Sequence, residues 1–226
     1  MPYLIVIIAI LLIVFGPAAW TKLVMKANSQ DRPDFPGTGG ELARHLLDEA
    51  GLREVAVEVT DLGDHYHPEE KAVRLSRDNH DGRSLTAVAV AAHEVGHALQ
   101  DRDHYGPLRT RTRLIKSTNT LQRTGSIILL ATPIVAGLVR SPAVMLLQIG
   151  AGIMVMASAV VVHLVTLPVE FDASFKRALP ILDRGGYLPK EDLPAARRLL
   201  RAAALTYVSS SLVSLLNLWR WIRYLR

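Results

Sequence analysis

Four stretches of the chain carry no Asp, Glu, Lys or Arg: residues 1–21, 124–139, 141–169 and 202–219. A helix needs about 20 apolar residues to cross a bilayer, with roughly 17–25 tolerated. The first, third and fourth stretches reach or nearly reach that length. The second is short and suits a half-buried or tilted hairpin partner. Three or four membrane helices are expected, and the lipid bilayer is an expected partner. The remaining residues must fold at its surface. The net charge of +5 does not point to nucleic acid, because the cations flank the apolar stretches as they do in membrane proteins. Lys22 and Lys26 follow the first stretch, and no cation precedes it. This is the pattern of an uncleaved anchor rather than of a cleaved signal peptide.

Residues 1–20 are expected to form a transmembrane anchor. The Pro- and Gly-rich residues 31–40 read as a linker. Residues 41–50 have helical spacing, with Gly51 as a stop. Residues 55–59 and 71–76 alternate apolar and polar side chains and are expected as two strands, with a polar loop over 61–70. Ser84 suits the N-cap of a helix running to about Arg102. Residues 103–123 are basic and expected to be helical. A transmembrane hairpin follows over 124–167. Residues 168–201 are polar and helical, broken at Gly185 and Gly186. Residues 202–226 form a C-terminal transmembrane or interfacial helix with a basic tail. The fold class expected is mainly α, with a small α+β catalytic element over 21–123.

Within that element stands Ala92-His93-Glu94-Val95-Gly96-His97-Ala98, which contains HExxH. Residues four apart share one face of a helix, so His93 and His97 can reach one zinc ion. Glu94, beside them, is placed to take a proton from water. The flanking Ala, Val and Leu imply a buried helix, where two histidines and a glutamate would be costly without a partner. With no cysteine in the chain, further ligands must be His, Asp or Glu. Glu170 is the leading third ligand, since a carboxylate at the end of an apolar run needs a reason to be there. Asp172 competes for the role, and His65, His67 and His104 remain open. Gly96 leaves room for a substrate or a neighbouring backbone.

The chain resembles the YugP-type family of bacterial membrane zinc metallopeptidases. The likeness runs through Asp64-His65-Tyr66 and Pro68, Val73-Arg74-Leu75-Ser76, and residues 91–98. It continues with Leu167-Pro168-Val169-Glu170-Phe171-Asp172-Ala173-Ser174 and Ala203-Ala204-Leu205-Thr206-Tyr207-Val208, in the family's order. The resemblance implies a membrane-embedded zinc peptidase with Glu170 as third ligand. More distantly, the chain is similar to the HtpX and CAAX-prenyl-protease gluzincins. Their third-ligand helix carries Asp four residues after the Glu. Position 174 here is Ser, which leaves Asp172 as the candidate for the supporting role.

Other candidates have weaker signals. Asp172 and Asp101 are possible acceptors for the second ring nitrogen of a metal-bound histidine. His163, two turns before Glu170, could line the site or simply bond between helices. Tyr207 could stabilise an oxyanion or mark the membrane interface. His65 could approach a substrate. The zincin-like fold that the resemblance implies suggests that an edge strand, Ala72-Val73-Arg74-Leu75, pairs with an extended polypeptide substrate. The expected activity is zinc-dependent peptide-bond hydrolysis at a cell membrane, on membrane or membrane-adjacent polypeptides. The alternative is a zinc-containing membrane scaffold or chaperone that binds polypeptides without cutting them. Residues 21–123 hold 15 of the 26 Lys and Arg and residues 167–201 hold 7. Both segments are therefore expected on the cytoplasmic side of a multi-pass protein.

Overall fold

In a computed structural model, which describes residues 2–139 and 141–224, the chain is mainly helical with one small sheet. Arg140 and Arg226, counted above in the charge pattern, lie outside the described residues. The elements run α1 (Pro2–Ala27), α2 (Gly39–Glu49), β1 (Ala56–Val59), β2 (His65–His67), β3 (Ala72–Leu75), α3 (Arg77–His80), α4 (Leu85–Arg102), α5 (Gly106–Val139) and α6 (Pro142–Phe171). A π-helical segment (Asp172–Ala178), α7 (Leu179–Arg184) and α8 (Leu193–Tyr224) complete the chain.

Local chemistry explains the starts of α2 and α4. Thr38 and Glu41 form a capping box at α2: the Glu41 amide donates to Thr38 Oγ1 at 3.2 Å, and the Thr38 amide donates to Glu41 Oε2 at 2.8 Å. Ser84 caps α4, its Oγ accepting from the Ala87 amide at 3.1 Å. α4 is apolar almost all round and is correspondingly buried. Ala91, Ala92, Val95 and Ala98 pack with Leu47 of α2, Val73 and Leu75 of β3, and Leu199 and Leu200 of α8. This core holds α4 in place.

The sheet corrects two expectations. The strand order is β1-β3-β2, with β1 parallel and β2 antiparallel to β3, Tyr66 facing Val73. Residues 61–70 are thus not all loop. β2 is only three residues long, and its His-Tyr-His alternation lacks the apolar partners that mark a strand. Its presence makes β3 the middle strand. Ala72, Val73 and Arg74 are paired on both edges, and Leu75 is paired with Val59 of β1 and fully buried, so β3 is not an open edge for a substrate.

α5 is one helix of 34 residues, about 50 Å long at 1.5 Å per residue. It runs unbroken across residues 123 and 124, from the basic segment into the second apolar stretch. α8 likewise runs from polar residues into the last apolar stretch. Thr21 Oγ1 of α1 donates to the Ala202 carbonyl of α8 at 2.8 Å, fixing these two helices in register. Among the described residues, one continuous helical run, Leu146–Arg184, is long and apolar enough to cross a membrane. Only 19% of its apolar window is buried inside the protein. A helix in a soluble core would be mostly covered. Leu146, Leu147 and Met154 instead present bare apolar surface.

Candidate metal centre

His93 and His97 lie one turn apart on α4, their ring centroids 4.7 Å from each other. Glu170 reaches them from the end of α6. Its Oε2 is 3.1 Å from His93 Nε2 and 3.6 Å from His97 Nε2. One ligand atom from each of the three residues lies within 4.8 Å of the others. Glu170 is only 2% exposed. Arg111 offsets part of the cost of burying this carboxylate from the side of Oε1, while Oε2 and the two imidazole nitrogens converge on one point.

The two Nδ1 atoms are engaged elsewhere. Gln100 Nε2 donates to the Val169 carbonyl at 2.8 Å and to Asp172 Oδ1 at 2.9 Å. Both are pure acceptors, so they fix the orientation of the amide. Gln100 Oε1 then accepts from His97 Nδ1–H at 2.9 Å. His97 Nδ1 therefore carries a proton, which leaves Nε2, on the Glu170 side, as the nitrogen available to a metal. His93 Nδ1 contacts Ser174 Oγ at 3.1 Å. Two imidazole nitrogens and one carboxylate oxygen, with the outer ring nitrogens held, form a donor set that fits zinc.

Backbone geometry makes this possible. The π-helical segment Asp172–Ala178 has a wider turn than an α-helix, and such segments recur at functional sites. Its backbone approaches α4 at Gly96, where an added Cβ would stand 2.8 Å from the Ala173 carbonyl oxygen. The room left by Gly96 is taken by a neighbouring backbone.

The other sequence candidates separate. Asp172 touches neither histidine. It accepts from Gln100 and from Arg177 Nε, the latter at 2.9 Å, and so reaches His97 through Gln100. Asp101 accepts from Tyr66 Oη at 2.8 Å and pairs with Lys71, which fastens the β2–β3 turn to the end of α4. His65 Nδ1 is bonded within its own turn to the Gly63 carbonyl at 2.8 Å. His163 is half-buried and makes no side-chain hydrogen bond among the described residues. Tyr207 is half-buried and lies within the electrostatic reach of Glu170, Arg111 and Glu94. Sequence reasoning missed Gln100, Ser174 and Arg111. Gln100 had a signal, standing three residues after His97 on one helix face.

Glu94 is buried, and burial pushes its carboxyl up to about 7; the nearby His93 opposes this shift, and Glu170 adds to it. A cavity of about 200 Å³ adjoins the centre, lined by Tyr66, His67, His97, Leu108, Arg111 and Ile115 among others. A larger one, about 460 Å³, lies between Phe35, Leu42, His45 and Tyr187 and contains none of the centre's residues.

The site is a group of two histidines and one glutamate able to hold a metal ion, and the comparisons with known families bear on which one. The chain belongs to the family described as "Putative neutral zinc metallopeptidase", whose model matches residues 3–226. It is also similar to "Putative membrane protease YugP" of Bacillus subtilis (strain 168). The two are 38% identical over 213 residues, covering 92% of this chain and 91% of that protein. No solved structure matches the chain.

Proposed function

We propose that the chain is a multi-pass, membrane-anchored zinc endopeptidase acting on membrane or membrane-adjacent polypeptides. The observation that carries this reading is the convergence of His93, His97 and Glu170 on one buried point, with Glu94 beside it. His93, His97 and Glu170 would hold the zinc, which supplies Lewis acidity to polarise a peptide carbonyl and to acidify water. Glu94 takes the proton of the attacking water and returns it to the leaving amine. A buried carboxylate next to the metal-ligand pair on the same helix is placed for that task. A protein that only bound polypeptides would have no use for it. Gln100 and Ser174 hold the two imidazoles in orientation, and Tyr207 is the candidate donor to the developing oxyanion.

The substrate strand is reassigned to the outer edge of β2. That edge is free of β3, and Tyr66 and His67 line the cavity beside His97. An extended polypeptide could add there through main-chain bonds, which tolerate many sequences. Residues 1–20, 124–167 and 202–226 would embed the enzyme, with 21–123 and 168–201 carrying the chemistry on the cytoplasmic side. The cation distribution supports this orientation. The test is hydrolysis of an unstructured polypeptide by purified protein in detergent. Chelation should abolish cleavage and added zinc restore it; cleavage indifferent to chelation would refute the reading.

A further inference from the structure

Glu170 has two oxygens with different neighbours. Oε2 faces His93 and His97. Oε1 faces Arg111 of α5, whose Nη1 is 3.1 Å away. The approach is close but not aligned as a hydrogen bond. Glu170 Oε1 and Arg111 Nε are both buried with no hydrogen-bond partner among the described residues. Charge, rather than a well-directed bond, holds the pair together. Arg111 also lines the cavity beside His97, so it belongs to the site and not to a remote face.

A glutamate side chain ends in a soft torsion, and a lone carboxylate can turn either oxygen, or both, towards a metal. A guanidinium beside one oxygen removes that freedom. We propose that Arg111 is a positioning residue that commits Glu170 Oε1 to itself and leaves Oε2 alone to serve as the third ligand. This inference rests on the metal reading above. Arg111 comes from a different helix and 59 positions away in the chain. It thereby also couples the long helix α5 to the state of the centre.

Two effects oppose each other. A cation next to a dication repels it, whereas a fixed carboxylate binds it better. The proposal requires the second to win. Groups that orient metal ligands typically contribute about 10–100-fold to affinity. R111M should therefore weaken zinc binding, measured by competition with a chromophoric chelator, by about that factor. Its cobalt-substituted form should show an altered visible spectrum as the carboxylate changes its mode of coordination. R111K keeps the charge without the planar fork and should show a smaller loss in the same direction. If R111M does not fold, R111K decides by the same readouts. Zinc affinity and cobalt spectrum equal to wild type in the folded variant, or tighter zinc binding, would overturn the proposal. Wild-type protein that holds no zinc would overturn the metal reading and this inference with it. Wild type with zinc beside an indifferent variant overturns this inference alone.

Discussion

Adding a single methyl group at Gly96 tests how closely the centre depends on helix contact. The Cβ of G96A would lie 2.8 Å from the Ala173 carbonyl oxygen and 3.4 Å from two further backbone atoms of Ala173. The obstacle is backbone and cannot swing aside. Ordinary contact begins near 3.4 Å, so α4 and the π-helical segment must separate by about 0.6 Å. Ala173 stands between Glu170 and Ser174, and both of these touch His93 at 3.1 Å. The same shift would carry those contacts beyond hydrogen-bonding range. Overpacking of this kind costs about 1–3 kcal/mol, while Ala in a helix interior regains about 1 kcal/mol over Gly. Thermal stability should thus fall only slightly. Function should fall far more, because a site needs its groups within about 0.5 Å and a 1 Å error costs about 100-fold. The assay is zinc affinity and peptide turnover of purified G96A beside its unfolding temperature. A variant with unchanged zinc affinity and turnover would refute the idea that this contact sets the ligand geometry.

S174A and Gln100→Leu should each weaken zinc binding by about 10–100-fold, with Asp172→Ala weaker in effect because it acts through Gln100; equal affinity in all three would remove their supporting role. In metal-stripped protein, E94Q should be more stable than wild type at pH 8 by up to about 3 kcal/mol. The sign follows from the raised carboxyl. Folded protein keeps the Glu94 proton between the ordinary 4.5 and about 7 while the unfolded chain loses it. Stability of the wild type therefore falls across that window, and the gap should close near pH 4.5; a gap independent of pH would contradict the burial argument. Leu62→Cys, at an exposed site, and Ser141→Cys in this cysteine-free chain should be labelled differently by a membrane-impermeant thiol reagent on intact cells. Labelling at 141 alone is expected, and labelling at 62 alone would reverse the orientation.

The pairing of His93 and His97 was legible because its signal is local: HExxH puts two imidazoles on one helix face. Glu170 ended an apolar run with Asp172 as its rival, and the family resemblance, not spacing, favoured it. The helices were legible from charge gaps and caps, as Ser84 illustrates. What was hidden depends on packing between distant elements. β2 is too short to carry a periodic signal, yet it alone decides that β3 is interior and not an edge. The basic residues 103–123 and the apolar residues 124–139 differ in composition, which suggested a boundary where α5 is continuous. Ser174 was noticed only as a departure from a pattern, since a hydroxyl facing an imidazole leaves no trace in spacing. Arg111 was one cation among several on a basic helix until the fold set it against Glu170.

The most direct test of the central claim pairs metal content with cleavage in wild type and E94Q, purified in parallel. The account predicts that both bind one zinc and that only wild type cleaves polypeptide at an appreciable rate. Loss of a general base should lower turnover by about 10²–10⁴-fold. E94Q that cleaves as fast as wild type, or active wild type that contains no zinc, would contradict it.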